Sequence, residues 1–540
     1  MMLLQNLLTS QAEARPGSTA MVCGTESISY AELDSLTNRI ARMLLEAGCR
    51  PGDRVGILLP KSIPAIAAMF GSLKAGCIYV PLDTGSPAPR LARIVDSCEP
   101  KCVLASNASA ALLDGLFPDP ARSAAIGWLA PGEPGERKGV VFRWNDLLSV
   151  PAAPLPCATT PQDCAHILFT SGSTGVPKGV VITHANIMLF LEWAVRYFRP
   201  SPWDRISCHP PLHFDLSGYD IYGTFMAGAE LHLVPPEISL LPHKLAEFIR
   251  RSQLTQWFSV PSALKYMAQF DVVRADDFPS LERLLWCGEA LPTPILIYFM
   301  ERLPHVRFTN LYGPTETTIA SSFYTVPSRP KDEKAEIPIG QACDGESLMV
   351  LDDERRPVPQ GEIGALYILG AGLSPGYWRD PEKTRSVFIE DAALGRMYNT
   401  GDLAKTGEEG LFYLLGRVDS QIKSRGYRIE LGEIEAALYA LGALRECAVV
   451  AVPSEGFEGL AICCAYALPD GVSLVPTDLR ARLATLLPSY MLPSQWMEFD
   501  ALPLNGNGKV DRPRVKEHFK AAPAPAATQT GGVLCNSRRP

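Results

Sequence analysis

The sequence predicts an α/β fold. A large N-terminal region of layered α/β subdomains carrying a small barrel-like unit spans residues 1–418, and a smaller α+β domain spans residues 419–515. Three observations predict it. The chain has 540 residues, too many for one ordinary hydrophobic core. From about residue 29 onward, short apolar runs alternate with segments of helical period, the pattern of a largely parallel sheet covered by helices. After about residue 340 that pattern gives way to short strands and turns, and after about 416 to a compact mixed unit.

In order along the chain, residues 29–48 place Leu33, Leu36, Ile40, Met43 and Leu44 on one helical face, with Ser29 and Glu32 spaced as a capping box. RVGILL then reads as a buried strand, IPAIAAMFGSLKAG as a helix and CIYVPLD as a strand. KCVLAS, HILFTS, AELHLVP, TQWFSV, LERLLWCG and HVRFTNLYG repeat the strand pattern. GESLMVLDDERRPVPQGEIGALYILG reads as strands joined by turns, the barrel-like unit. Beyond Gly416 come a dense polar crossing, a helix, the strands CAVVAVP and AICCAYAL, and the helix TDLRARLATLLP. The Ala-, Pro-, Thr- and Gly-rich tail, 521–540, is expected to be disordered.

Composition excludes several classes. A net charge of -8 argues against nucleic acid as a partner. No run reaches 18 apolar residues, so no membrane span and no membrane partner is expected. The 14 cysteines form no CxxC pair and no zinc spacing. They fit reduced thiols in a cytoplasmic enzyme.

The most unusual stretch is ILFTSGSTGVPKGVV. A buried run breaks into hydroxyls, glycines, a proline and Lys178. Such a loop brings backbone N–H groups against an anion, with Ser and Thr as added donors. It is not the common nucleotide loop, because no hydroxyl follows Lys178.

Four further stretches accompany it: NLYGPTETT (310–318), YNTGDL (398–403), GRVDSQIKSRGYRIELGEIE (416–435) and LPLNGNGKVDR (502–512). LKAGCIYVPLD (73–83) is a structural sixth. In this order, over residues 10–515, the chain resembles the ANL superfamily of adenylate-forming enzymes. Within it, it is most similar to amino-acid adenylation domains of nonribosomal peptide synthesis and to D-alanine–carrier-protein ligases.

The resemblance implies ATP-dependent activation of a carboxylate, release of pyrophosphate and transfer of the acyl group to a thiol. Thr170, Ser171, Gly172, Ser173, Thr174 and Gly175 would wrap the β- and γ-phosphates, and Lys178 would add charge. Tyr312 would stack on adenine, next to Asn310 and Gly313, with Gly288, Glu289 and Ala290 lining the ring. Thr315 would bond the α-phosphate and Glu316 would hold Mg²⁺. Asp402 would accept the ribose hydroxyls with Arg417 beside it. Lys509, on a turn-rich loop of the small domain, would be the catalytic lysine, and its siting implies that the domain moves about a hinge at Asp419. Gly426 would lie beside the thiol channel.

Asp215, in HFDLSG, matches the family's partner for a substrate α-ammonium. The side-chain pocket is expected from Leu216, Tyr219, Ser262, Leu284, Trp286, Leu311, Ile319 and Ala320. It carries no charge, which disfavours charged side chains, and Trp286 would make it shallow. A small neutral amino acid is therefore expected, with alanine, glycine, serine, cysteine and proline open. No carrier helix follows Arg512, so a separate carrier protein would supply the phosphopantetheine thiol in trans, unless the chain is a piece of a larger assembly. Two alternatives are an acyl-CoA synthetase using free coenzyme A and an inactive scaffold or amino-acid-binding protein.

Overall fold

The computed structural model describes residues 2–117, 124–132, 139–172, 175–454, 459–469, 471–505 and 509–521. Five layers make up most of the large region. A nine-stranded sheet and a seven-stranded sheet enclose a helical layer, and each carries further helices on its outer face.

The expected helix forms as Tyr30–Glu46, and the Ser29–Glu32 capping box closes its first turn. With Ile63–Lys74 and His184–Phe198 it fills the space between the sheets, where Ile40, Phe70 and Leu191 are fully buried. Ile63–Lys74 is apolar all round, as a helix covered on every side must be. Arg54–Leu58, Ile78–Pro81 and Cys102–Ala105 pair in parallel in the seven-stranded sheet. Arg205–Cys208, Gln256–Ser259, Arg283–Trp286 and Arg307–Tyr312 do so in the nine-stranded one.

Alternation along these strands fixes which layer each side chain enters. Phe258 and Leu285 face the central helices, whereas Trp257, Leu284 and Trp286 face the outer layer formed by Pro242–Ser252, Pro261–Gln269 and Thr293–Arg302.

The strands Glu346–Leu351, Gly364–Gly370, Phe388–Asp391, Gly395–Thr406 and Phe412–Arg417 form a separate antiparallel sheet, the expected barrel-like unit. Residues 418–420 link it to the C-terminal unit. There the hairpin Gln421–Ser424/Tyr427–Glu430 leads into the helix Leu431–Ala440 and a three-stranded sheet.

The two faces of that sheet are distinct. Cys447, Val449, Ala451, Ile462 and Cys464 pack with Ile429, Ile434 and Leu438. Ala448, Val450, Val452, Ala461 and Cys463 pack with Leu502, Val510, Val515 and Phe519. The last helix among the described residues is Arg512–Ala521, so Ala521 is helical, and the rest of the expected tail lies outside the described residues. No helix among the described residues is long and apolar enough to cross a membrane.

Candidate active site

The parallel strands of both sheets end on one cleft, the usual place for a site in an open α/β sheet. Loops after Cys208, Trp286 and Tyr312 deliver His213 to Asp215, Cys287–Gly288 and Gly313 to Thr315. From the other sheet, the ends of Ile78–Pro81 and Cys164–Thr170 deliver Asp83 and Thr170 to Ser171. The hairpin of the C-terminal unit closes the cleft with Lys423, Gly426 and Arg428.

Asp215 is pressed into the cleft beside Leu216, Cys287, Gly288 and Thr315. Burial pushes its pKa up to about 6, although hydrogen bonds from Thr315 and the Leu216 backbone oppose the rise. Among the described residues no cation lies within ion-pair distance of it.

Glu316 is fully buried. Its carboxylate accepts from the Tyr377 hydroxyl at 2.7 Å and from Arg428 Nη1 at 2.6 Å. Burial works to raise its pKa, but Arg428 and Lys178 outweigh burial and hold it at about 2. The donor chemistry suits magnesium, which takes hard oxygen ligands and is commonly held by one or two carboxylates together with phosphate oxygens. No cluster of three or more acidic, His or Cys ligands exists among the described residues.

Asp402 accepts from the Tyr312 hydroxyl at 2.5 Å and from Arg417 Nη1 at 2.7 Å. Register explains the second contact, since Asp402 and Arg417 are cross-strand partners. Arg417 also donates to both oxygens of Asp419, at 2.7 and 2.6 Å, so Asp419 is tied across the link between the units. Lys423 stands over the Tyr312 ring, 5.3 Å from its centroid. Asn310 is turned from the cleft to the Pro338 carbonyl, 2.9 Å away.

The Thr170 hydroxyl is buried with no hydrogen-bond partner among the described residues and lines the cleft next to Ser171, a ready donor for an anion. Lys178 lies near Glu430, and burial, then Arg428, pushes its pKa down. Ser173 and Thr174 lie outside the described residues.

Leu216, Tyr219, Leu311, Ile319 and Ala320 meet in one buried cluster. Thr318 and Ile319 both hold positive φ, 66° and 67°. For a β-branched residue that is costly, and such strain concentrates at functional sites.

Three expectations for this pocket need correction. Leu284 and Trp286 are buried in the outer core, on the opposite face of the sheet from Asp215. Strand alternation gives Leu285 and Cys287 the inner face instead, and Cys287 lines the cleft. The period-2 rule applied to RLLWC groups Leu285 with Cys287 and Leu284 with Trp286, and packing then decides which pair faces inward. Ser262 stands at the wall of a neighbouring cavity of about 240 Å³. Its backbone N–H donates to Glu289 at 3.1 Å and its hydroxyl donates to the same carboxylate.

Glu289 therefore acts through its side chain, and its other oxygen accepts from the Gly426 N–H at 2.6 Å. Gly288 lines the cleft and Ala290 is exposed. Gly426 has φ +79°, and a Cβ there would fall 2.6 Å from Val260 Cγ1. Only glycine lets the hairpin approach so closely. Phe214, Val260, Arg425 and Tyr427 line the same 240 Å³ cavity, which adjoins the cleft.

Lys509, the expected catalytic lysine, is also kept apart from the cleft. It is exposed, next to the bridge Leu504–Val510. Val510 packs on one face of the C-terminal sheet, while Ile429, in the hairpin that closes the cleft, packs on the other. Lys509 and Arg428 thus belong to opposite sides of the unit.

This architecture, with a nucleotide-type cleft between a large α/β region and a small C-terminal unit, is that of an adenylate-forming ligase. The chain belongs to the AMP-binding enzyme family, whose sequence pattern matches residues 8–378, and the family's C-terminal domain matches residues 433–509. An L-proline–[L-prolyl-carrier protein] ligase from Pseudomonas fluorescens is 34% identical over 95% of this chain and 98% of its own. A ligase of the same description from Streptomyces coelicolor is 35% identical over 96% of each. Among solved structures, an amide bond synthetase from Marinactinospora thermotolerans superposes with a TM-score of 0.85 at 26% identity, covering 96% of this chain and all of that one.

Proposed function

We propose that the enzyme activates a small neutral amino acid with ATP as the aminoacyl adenylate, releasing pyrophosphate. It then passes the aminoacyl group to the phosphopantetheine thiol of a separate carrier protein. The observation that carries the reading is Asp215. A half-buried carboxylate with no protein cation at ion-pair distance is ionised at neutral pH only at a cost, and a cationic partner would offset that cost. The α-ammonium of an amino acid would supply it, and a fatty or aryl acid would not.

The surrounding wall supports a neutral side chain, since Leu216, Leu285, Leu311, Ile319 and Ala320 are apolar and buried. A charged side chain there would remain unpaired. Proline is the first amino acid to test, because two relatives of nearly the same length are L-proline ligases.

In the adenylation step Asp215 fixes the amino acid so that its carboxylate points at the α-phosphate near Thr315. Asp402 and Arg417 hold the ribose, Tyr312 supports the adenine, and the loop 170–175 with Lys178 receives the leaving phosphates. Magnesium, bound by Glu316 and phosphate oxygens, would neutralise charge on the departing pyrophosphate. Lys509 would stabilise the charge that develops between carboxylate and α-phosphate, as preorganised cations do. Reaching that point requires turning the other side of the C-terminal unit inward about the link at 418–420. The described arrangement suits the second step, with Tyr427 lining the 240 Å³ cavity and Gly426 lining the adjoining cleft at Asp215.

Amino-acid-dependent ATP–pyrophosphate exchange across the twenty amino acids, D-alanine and β-alanine tests the reading. Exchange limited to one or a few small neutral amino acids is the expected result. Exchange driven by fatty or aryl acids instead, or no exchange with any amino acid, would overturn it.

A further inference from the structure

Of the described groups on the large unit that the nucleotide reading assigns to the leaving phosphates or their metal, Ser171, Gly172, Gly175, Lys178 and Glu316 meet the short stretch 428–436, while the Thr170 hydroxyl stays without a partner. The Ser171 hydroxyl donates to the Arg428 carbonyl at 2.6 Å. Lys178 Nζ lies 3.6 Å from Glu430 Oε1. The Glu433 carboxylate lies by the Gly172 backbone; burial raises its pKa, and Arg90 and then the Gly172 N–H oppose the rise. Gly175 abuts Ala436, and a Cβ on it would fall 2.9 Å from the Ala436 methyl. Glu316, the one acid of the set, meets the Arg428 guanidinium instead.

One residue outside the expected set joins them. Arg90 Nε donates to Glu433 Oε1 at 3.2 Å, with both side chains almost wholly buried. The sign pattern is specific. Loop donors and cations meet acceptors and carboxylates, while the carboxylate suited to a metal meets a cation. An ordinary domain interface would scatter its ion pairs, and would not match each to a phosphate or metal group.

We propose that Arg428–Glu433 is a built-in stand-in for magnesium pyrophosphate, and that Arg90 is a phosphate-binding residue uncovered when Glu433 withdraws. Glu430 and Glu433 take the places of phosphate oxygens, and Arg428 takes the place of the metal. The stretch and pyrophosphate then exclude each other. The C-terminal unit seats for the thiol step only after pyrophosphate has left, and added pyrophosphate unseats it. The proposal rests on the nucleotide reading of the loop.

The test uses the full chain and two readouts that need no turnover. Tryptic cleavage at Arg417, Lys423 or Arg425 follows unseating of the unit, and calorimetry follows binding of magnesium pyrophosphate, with AMP as a control lacking the β- and γ-phosphates. Saturating magnesium pyrophosphate should speed cleavage of the native chain at least fivefold. E430Q and E433Q should cleave faster without ligand and bind magnesium pyrophosphate several-fold more tightly, since their internal competitor is weakened. R90A should bind it about tenfold more weakly with AMP affinity little changed, and R90K should recover part of the loss. Unchanged cleavage with pyrophosphate bound, or no gain in affinity in E430Q and E433Q, would overturn the stand-in. Unchanged affinity in R90A would overturn the role of Arg90. If the native chain binds neither ATP nor pyrophosphate, the nucleotide reading falls and this proposal with it. If it binds both and the other outcomes fail, the proposal alone falls.

Discussion

Asp215→Asn separates a substrate-binding carboxylate from a structural one, because the two roles predict opposite effects on stability. Burial pushes the native carboxyl to about 6 from an ordinary 3.8. A folded pKa above the unfolded one means that the folded state binds more protons in the intervening range. The group therefore costs nothing below about pH 4, and stability is lost as pH rises through about 6. At about 1.36 kcal/mol per pKa step, the full cost above pH 7 is about 3 kcal/mol, an upper bound for a partly solvated group. Asn keeps the shape and does not titrate. Its stability advantage over Asp should grow by about 1.4 kcal/mol between pH 5 and pH 8 on the same arithmetic.

The same substitution removes the partner of a buried ammonium, worth about 3–5 kcal/mol, so kcat/KM for the amino acid should fall by about two to four orders of magnitude. Urea unfolding at pH 5 and pH 8 measures the first effect, and exchange kinetics against amino-acid concentration measures the second. A variant that is destabilised equally at both pH values, with an unaltered amino-acid KM, would refute the reasoning.

Other substitutions probe the remaining parts. Lys509→Ala should nearly abolish adenylate formation and leave transfer from preformed adenylate largely intact; equal losses in the two half-reactions would remove the case for two arrangements. Gly426→Ala should impair thioester formation far more than exchange, because the new methyl meets Val260 at 2.6 Å with φ at +79°; a normal transfer rate would show that the close approach is not needed. Trp286→Ala should cost about 3–5 kcal/mol of stability on denaturant unfolding and leave the ranking of amino acids as it was, since its ring fills the outer core. Cys287→Val should change that ranking in the exchange assay, since Cys287 lines the cleft; an unchanged ranking would move the pocket wall elsewhere.

Much of the fold was legible in the sequence because each strand is a short apolar run bounded by polar turns, and because the helix at 30–46 carries its own cap. The groups proposed to hold the nucleotide could be named from the sequence because they lie in contiguous stretches, Thr170–Lys178, Asn310–Glu316 and Tyr398–Asp402. The amino-acid pocket was harder. Its proposed walls come from alternate positions on neighbouring buried strands, and in RLLWC both faces are apolar, so hydrophobicity cannot say which face is inward. Packing puts Leu285 and Cys287 on the face of the central helices and Leu284 and Trp286 on the outer face. The pairs Arg90–Glu433 and Glu289–Gly426 join residues more than 100 positions apart on different units, and nothing local marks them. Asn310 lies within a nucleotide motif yet braces the Pro338 segment, a role visible only once the neighbouring strands are packed.

The most direct test of amino-acid activation compares an amino acid with its own desamino acid in ATP–pyrophosphate exchange, for proline the pair L-proline and cyclopentanecarboxylate. The two acids share a carboxylate and nearly the same shape, and differ in the ammonium that Asp215 is proposed to hold. The account predicts that the native enzyme prefers the amino acid by at least a hundredfold in kcat/KM and that Asp215→Asn erases most of that preference. Equal exchange with both acids in the native enzyme, or a preference that survives in the variant, would contradict it.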